Sequence, residues 1–487
     1  MSSILDLEPK GLWKNFYSLT QIPRPSKKEE KIIAFTKEFG EKLGLETIVD
    51  EVGNVIIRKP ATPGFEDRMG IVLQSHLDMV PQKNSGTDHD FETDPIQTYI
   101  EDGWVKAKGT TLGSDNGIGA AAAMTVLEAT DLEHGPVEAL FTIDEETGMT
   151  GANELKPGVL QGDILLNMDS EDEGELYVGC AGGVDTTGTF TYEPVAVEPG
   201  YAAYQVAVKG LKGGHSGLDI NLGRGNANKI MNGLLHVAAA KYGLRLASIE
   251  GGSLRNAIPR ESFATVVVPE ENSASFEAFV AEFATLALDT YREADGGLTV
   301  TAIAASMPAT VLDAKTQAGL FEAVAKCPNG VIAMSADMPG VVETSNNLAI
   351  VKSKDNTIVL AALQRSSVDA SKAVLAGQIR DVFIKAGADA YSHGEYPGWK
   401  PNVNSPILKT MKEVYLQKFG KTPEVKVIHA GLECGILGAA YPNWDMISFG
   451  PTIRHPHSPD EKVNIATVDL FWQYLVETLK NAPVKVS

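Results

Sequence analysis

Cysteine is scarce in this chain: Cys180, Cys327 and Cys434 are the only three in 487 residues. They are odd in number, far apart and never arranged as C-x-x-C, which argues against a disulfide framework or a thiolate zinc site. Long apolar runs are missing too, and no stretch approaches the ~18 apolar residues of a membrane-spanning helix. The N-terminus, Met-Ser-Ser-Ile-Leu-Asp-Leu-Glu-Pro, lacks the basic start and apolar core of a secretory leader, so the cytoplasm is the expected location. Positive charge is in short supply. Lys and Arg number 42 against 63 Asp and Glu, a net charge of −21, which argues against nucleic acid or an anionic membrane as partner. No Gly-x-Ser-x-Gly elbow is present, so the commonest signature of a serine hydrolase is absent. No repeat or low-complexity tract interrupts the chain.

What is present is ordinary for a soluble globular protein, with 43% hydrophobic and 22% charged residues. The length exceeds what one hydrophobic core supports, so two domains are expected, one inserted in the other. Ser26-Lys-Lys-Glu29 reads as a capping box opening a helix to about Leu43. Short strands are expected at Thr47–Asp50 and Val55–Arg58. The apolar run Gly70-Ile-Val-Leu73 predicts a buried strand that ends in Gln74-Ser-His76-Leu-Asp78. A glycine-rich loop, Lys108 to Gly119, then leads into the helix-forming run Ala120–Glu128. Strands at Val137–Ile143 and Asp163–Met168 end in Asp144-Glu145-Glu146 and Asp169. Strands that alternate with helices and end in histidine or acidic residues are the α/β pattern, whose strand ends carry function.

After about Gly183 the pattern changes. Half-buried strands at Tyr201–Leu211, Leu244–Glu250, Ser262–Val268 and Leu298–Ala304 alternate with helices at Asn226–Tyr242, Ser275–Glu293 and Lys315–Ala325. Strands Leu348–Lys352 and Thr357–Gln364 flank Asp355-Asn356 as a hairpin, and a helix over Lys372–Ala386 follows. Residues 187–388 are therefore expected to form a second, α+β domain between residues 1–186 and 389–487. Tyr391–Trp399, with its Gly and Pro, reads as a linker. Helices at Pro406–Phe419 and Thr467–Lys480, and strands at Val425–His429 and Asp445–Phe449, return to α/β character.

Five candidate metal ligands emerge from the strand ends and loops: His76, Asp115, Glu146, Asp169 and His457. Imidazole with carboxylate suits zinc or another borderline divalent ion. Five ligands exceed the three of a single catalytic zinc, but fit two ions when one carboxylate bridges. Two such ions ~3.5–4 Å apart can hold a hydroxide and polarise a carbonyl. In an extended segment residues i and i+2 share a face, so Asp78 can lie beside His76 and orient the imidazole. Of the adjacent pair Glu145 and Glu146, one can be a ligand and the other a general base.

These residues stand within motifs that resemble the co-catalytic dizinc exopeptidases, a family that includes aminoacylases, glutamate carboxypeptidases, tripeptidases and dipeptidases. The resemblance runs along nearly the whole chain. It rests on Leu73-Gln-Ser-His76-Leu-Asp78-Met-Val-Pro-Gln-Lys83, Lys108-Gly-Thr-Thr-Leu-Gly-Ser-Asp115-Asn-Gly-Ile-Gly119, Glu145-Glu146-Thr-Gly-Met-Thr-Gly-Ala152 and Asn167-Met-Asp169-Ser-Glu171. It continues through Leu211-Lys-Gly-Gly-His215-Ser-Gly217, Leu254-Arg-Asn256-Ala-Ile-Pro-Arg260, Ile428-His-Ala-Gly431-Leu-Glu-Cys-Gly435 and Pro456-His457-Ser-Pro-Asp-Glu461.

The resemblance implies a catalytic domain with a mixed central sheet flanked by helices, and a smaller inserted lid domain. It implies that Asp115 bridges two ions, that His76 and Asp169 complete one, and that Glu146 and His457 complete the other. Glu145 is then the general base and Asp78 the partner of His76. From the lid, His215 steadies the oxyanion, Asn256 and Arg365 hold the substrate's terminal carboxylate, and Gly431 lines the substrate site. His455 stands two residues before His457, where the dipeptidase branch usually has a small residue. The Pro-His-Ser-Pro-Asp-Glu frame favours His457 as the ligand. The implied activity is hydrolysis of dipeptides, Xaa-His and β-alanyl-histidine among them, by water held between the ions. Tripeptidase or deacylase activity on the same framework is the alternative, and a non-catalytic peptide binder is the reading from another class. The expected cofactors are two divalent ions, zinc first, with cobalt and manganese also suited, and the implied assembly is a homodimer.

Overall fold

Ile71-Val-Leu-Gln-Ser-His76 forms a strand in which every residue is buried, as an interior parallel strand requires. It runs parallel to Val137–Thr142 on one side and Ile164–Asn167 on the other. The computed structural model describes residues 3–485; Met1 and Ser2, where the N-terminal reading begins, lie outside them. The chain separates into two compact units. One runs to Gly179 and takes in Pro401–Val427 and everything from Leu432 onward; the other is Cys180–Lys400 with Ile428–Gly431.

The first unit is built on an eight-stranded sheet. Its order is Glu46–Val49, Val55–Lys59, Val137–Thr142, Ile71–His76, Ile164–Asn167, Asp445–Ser448, Glu175–Cys180 and Glu424–Ile428. The four central strands are parallel and their neighbours on either side are antiparallel, so the sheet is mixed. The alanine-rich helix Ser114–Glu128 is buried from Asn116 to Leu127. Its small side chains allow close packing, and Lys10–Thr20 lies along it, with Asn15 Nδ2 donating to Thr125 Oγ1 at 3.0 Å. A separate four-stranded sheet joins Ile453–Arg454, Lys462–Asn464, Trp104–Ala107 and Thr98–Glu101. The loop between its first two strands carries His457, and the segment leaving Trp104–Ala107 leads to Asp115.

One local expectation is overturned here. The helix expected from Ser26 starts at Glu30, with no side-chain cap. The Ser26 hydroxyl donates to Asp78 Oδ2 at 2.7 Å, and Glu29 Oε1 accepts from the backbone of Lys27 and Asp144. A buried carboxylate makes a stronger partner for the serine than the helix end does.

The second unit is α+β. Its nine-stranded sheet has the order Thr299–Ala304, Tyr201–Lys209, Ser262–Pro269, Arg245–Gly251, Val342–Lys354, Thr357–Ser366, Gly182–Thr191 and Asp389–Tyr396, with Gly330–Met334 beside Val342–Lys354. All of its pairings are antiparallel. Ala227–Tyr242, Ser273–Asp295, Ala314–Lys326 and Asp369–Lys385 are its helices. A core of Val206, Leu234, Leu246, Val266, Leu348, Leu360 and Phe383 holds sheet and helices together. Asn226 and Asp313 cap the first and third helices by accepting backbone N–H groups.

The edges of this unit fall at Cys180 and Lys400, outside the 187 and 388 read from sequence. Gly182–Thr191 and Asp389–Tyr396 pair with each other at the end of the sheet, so both belong to it. The supposed linker Tyr391–Trp399 is therefore mostly an edge strand. Its alternating exposed and half-buried residues, with Gly394 inside, hide the strand pattern. Among the described residues, no helix is long and apolar enough to cross a membrane.

Candidate metal centre

The parallel strands of the first unit deliver their C-terminal ends to one edge of the sheet, where ligands bind in open α/β sheets. His76 closes the strand Ile71–His76, the Glu145-Glu146 turn follows Val137–Thr142, and Asp169 follows Ile164–Asn167. Asp144 and Met149, both at positive φ, bracket the short helix Glu145–Gly148. His457 also sits at positive φ, in the loop from the four-stranded sheet.

Asp115 divides its carboxylate between two histidines. Its Oδ1 lies 3.2 Å from His76 Nε2, and its Oδ2 lies 3.3 Å from His457 Nε2. His76 Nε2 also faces Asp169 Oδ1 at 3.4 Å, and His457 Nε2 faces Glu146 Oε2 at 2.9 Å. Two trios result, His76–Asp115–Asp169 and Asp115–Glu146–His457, each with its ligand atoms within 4.8 Å of one another and with Asp115 common to both. His76, Glu145 and Glu146 form a further trio.

The electrostatics describe a cradle built for positive charge. Burial raises Asp169 to about 7, and the charges of Asp115 and Glu146 add to it, against the opposing pull of His76. Glu145 is pushed well above the usual carboxylate range by burial and by Asp169, Glu433 and Glu146. Hydrogen bonds to Asp115 and Glu146 lift His457 to about 11. His76 is raised although burial opposes it, because Asp169, Asp115 and Asp78 surround it. Glu146 Oε1 is buried without a hydrogen-bond partner. Two imidazoles, three carboxylates and no thiolate make a donor set that fits borderline divalent ions, with the imidazolium protons standing in for them.

Asp78 is placed differently. Its Oδ1 lies 3.4 Å from His76 Nδ1 and accepts from Glu145 N at 3.0 Å; its Oδ2 accepts from Glu146 N at 3.2 Å and Ser26 Oγ at 2.7 Å. One buried carboxylate thus touches the imidazole and pins the turn bearing both glutamates. Burial opposes its ionisation, yet His76 and these donors hold it down at about 2. With Glu29 and Asp144 it forms a fourth group, all three buried. Both oxygens of Asp78 and of Asp144, and Oε1 of Glu29, are taken up by backbone N–H groups and by Ser26, Thr147 and Thr150. His455 is exposed and enters none of the four groups found among the described residues.

The remaining sequence candidates gather in the second unit. His215 Nδ1 accepts from Gly217 N at 3.2 Å and Leu218 N at 3.1 Å. An imidazole nitrogen that accepts carries no proton, so the neutral ring bears its hydrogen on Nε2. Burial and the Arg365 charge pull its pKa down, which favours that neutral form. Arg365 is buried; its Nε donates to Ser216 Oγ at 3.2 Å and its Nη1 to Tyr396 Oη at 3.0 Å. The Asn256 carbonyl accepts from Ser216 N at 2.8 Å, and Asn347 Nδ2 holds the carbonyls of Arg255 and Ala257 on either side. A Cβ on Gly431 would lie 3.1 Å from the Tyr396 ring. Ser216 and Tyr396, to which the sequence reading assigned no role, are the hubs of this cluster.

The model of peptidase family M20/M25/M40 matches residues 72–481. The chain belongs to that family. Among M20 relatives, it is 44% identical over 485 residues to the cytosol non-specific dipeptidase of Escherichia coli (strain K12), covering 100% of both chains. Its fold is similar to that of aminoacylhistidine dipeptidase from Vibrio alginolyticus, with a TM-score of 0.96 and 47% identity over 100% of this chain and 99% of the other. Aminopeptidase PepT from Bacillus cereus ATCC 10987 shares the fold at a TM-score of 0.56 and 17% identity, over 98% and 99% of the two chains.

Three further residues of this M20 chain shape the centre. Glu461 is buried and accepts from the backbone of Leu112, Gly113, Ser114 and Asp115 and from the Ser114 hydroxyl. Arg24, also buried, donates to the carbonyls of Leu77 and Asp78 at 2.7 and 3.0 Å, and to that of Gly113 at 2.5 Å. It ties the loop before Asp115 to the segment after His76. Glu433 accepts from Gln74 Nε2 and Thr142 Oγ1, while its Oε1 is buried without a partner. Glu461 and Glu433 stood inside quoted motifs, which was their only signal; Arg24 had none.

Proposed function

We propose that this M20 chain is a metal-dependent dipeptidase of broad specificity that acts on dipeptides, Xaa-His among them. The observation that carries the reading is the shared carboxylate of Asp115, one oxygen toward each histidine, with a second carboxylate beside each. Full-length similarity to a non-specific dipeptidase supports the substrate class, and the relative's name supports a cytosolic location. His76, Asp115 and Asp169 would hold one divalent ion, and Asp115, Glu146 and His457 a second; zinc suits the donors best, with cobalt and manganese as alternatives. When bound, such ions polarise the scissile carbonyl and acidify the attacking water.

The chain's own groups do the rest. Glu145, raised by burial among carboxylates, takes the water proton and returns it to the leaving amine. Asp78 keeps His76 in one orientation. The Nε2–H of His215 is the donor for the developing oxyanion. Arg365 and Asn256 receive the substrate carboxylate and Gly431 leaves room for the backbone. Cys180–Lys400 is read as the lid domain inserted in the catalytic domain. A homodimer is the assembly that accompanies the reading, and sedimentation of the purified protein tests it.

The deciding experiment pairs the metal-loaded wild type with Glu145→Gln. Turnover of an alanyl dipeptide should vanish in the variant while metal content stays near two ions per chain. Near-normal turnover would overturn the mechanism. A panel of β-alanyl-histidine, an alanyl dipeptide, a tripeptide and an N-acetyl amino acid decides whether dipeptides are the preferred class.

A further inference from the structure

Tyr396 ends the strand Asp389–Tyr396 and stands opposite Gly183 in the register. Its ring is seated on two glycines: a Cβ on Gly183 would lie 2.6 Å from three of its atoms, and one on Gly431 3.1 Å away. The chain thus gives up two side chains to bring this phenol against Arg365.

The hydrogen bond between them has a fixed direction. A guanidinium only donates, so at 3.0 Å Arg365 Nη1 is the donor and Tyr396 Oη the acceptor. The phenolic hydrogen is therefore not spent on Arg365, and among the described residues Tyr396 Oη donates to no other group. Arg365 is anchored by Ser216 through Nε, and its Nη2 has no partner among the described residues. The result is an O–H and a guanidinium edge side by side, beside the Asn256 loop that Ser216 also holds. Burial keeps the phenol protonated, since it raises the Tyr396 pKa further than Arg365 lowers it.

We propose that the Tyr396 hydroxyl donates to the terminal carboxylate of the substrate, making with Arg365 a clamp that selects free C-terminal acids over amides. The inference rests on the reading of Arg365 as the carboxylate-binding residue. Arg365 supplies the charge, and Tyr396 supplies a neutral donor in a fixed position.

The test uses the full-length, zinc-loaded protein with alanyl-alanine and alanyl-alanine amide as substrates. Tyr396→Phe keeps the ring on its two glycines, and its melting temperature checks that the fold is retained. The expected result is a loss of roughly tenfold to a hundredfold in kcat/KM for the acid, carried mainly by KM. The amide should change much less, so that discrimination between acid and amide shrinks. Equal losses on both substrates, or no loss on the acid, would overturn the proposal. Arg365→Gln separates the two readings. If it loses discrimination while Tyr396→Phe keeps it, the tyrosine proposal alone fails; if both variants keep it, the carboxylate reading fails as well.

Discussion

Glu461 accepts from the backbone N–H of Ser114 at 2.7 Å and from its hydroxyl at 2.6 Å. The same carboxylate takes the N–H groups of Leu112 and Gly113 at 2.7 and 2.9 Å, so one buried anion organises the approach to Asp115. Glu461→Gln turns one of these acceptors into a donor that faces N–H groups. The expected cost is about 3 kcal/mol, from buried donors left without an acceptor. Thermal unfolding of the metal-free protein measures it. Metal affinity should fall alongside, since Asp115 loses its fixed position.

Asp78→Asn keeps the shape beside His76 and removes the charge. Loss of a carboxylate behind a ligating imidazole typically costs ~10–100-fold in metal affinity or activity. Here the cost should sit at the upper end, because Asp78 also holds Glu145 N and Glu146 N. Competitive metal titration and kcat on a dipeptide both report it. An affinity within a factor of two of wild type would remove Asp78 from its orienting role.

How much of this was legible in the sequence depends on where each residue's partners lie. His76, Asp115, Glu145, Glu146 and Asp169 stand at strand ends or in a glycine-rich loop, so their convergence follows from the α/β pattern. His457 comes from a loop of the separate four-stranded sheet and was legible only through its motif. Helices with local caps, such as Ala227–Tyr242 after Asn226, were legible for the same reason. Ser26 misled because its best partner, Asp78, lies 52 residues away. Asp389–Tyr396 was missed because its pairing with Gly182–Thr191 spans some two hundred residues and its own residues are those of an exposed edge. Tyr396, Arg24 and Glu461 act through hydrogen bonds to partners distant in the chain, which no periodicity encodes.

Metal binding should release protons. With His457 raised to about 11 and His76 also raised, both imidazoles are protonated in the metal-free protein at pH 7. A metal requires them neutral and requires Asp169, raised to about 7, as the carboxylate, so loading should liberate between about two and three protons per chain. Calorimetry in buffers of different ionisation enthalpy counts them. A chelator should abolish turnover, and added zinc should restore it.

Two glycines should respond in opposite directions to alanine. A Cβ on Gly217 would collide with the His429 carbonyl oxygen, a backbone atom that cannot step aside. Gly217→Ala should therefore destabilise the second unit by ~1–3 kcal/mol or more and disturb the N–H that His215 Nδ1 accepts. Gly377 lies inside the helix Asp369–Lys385 with open space around its Cβ position. Gly377→Ala should stabilise by ~0.5–1 kcal/mol. Melting curves of the two variants suffice to compare them.

Acid should weaken the second unit through His429. Burial, with the charges of Arg365 and His215, lowers this histidine from 6.5 to about 3, while its Nε2 pairs with Ser345 Oγ at 2.7 Å. Because the folded pKa is depressed, the unfolded chain binds the proton first as pH falls. The stability that depends on a neutral His429 is complete above pH 6.5 and is lost progressively down to about pH 3. The full span is of the order of 4–5 kcal/mol. His429→Gln keeps a donor and acceptor near Ser345 and does not titrate. The variant should be the less stable protein at pH 7.5, and the difference should close or reverse by pH 4.5 when both are followed by hydrogen exchange in residues 180–400. Parallel stability curves for the two proteins across that range would show that His429 does not titrate on unfolding.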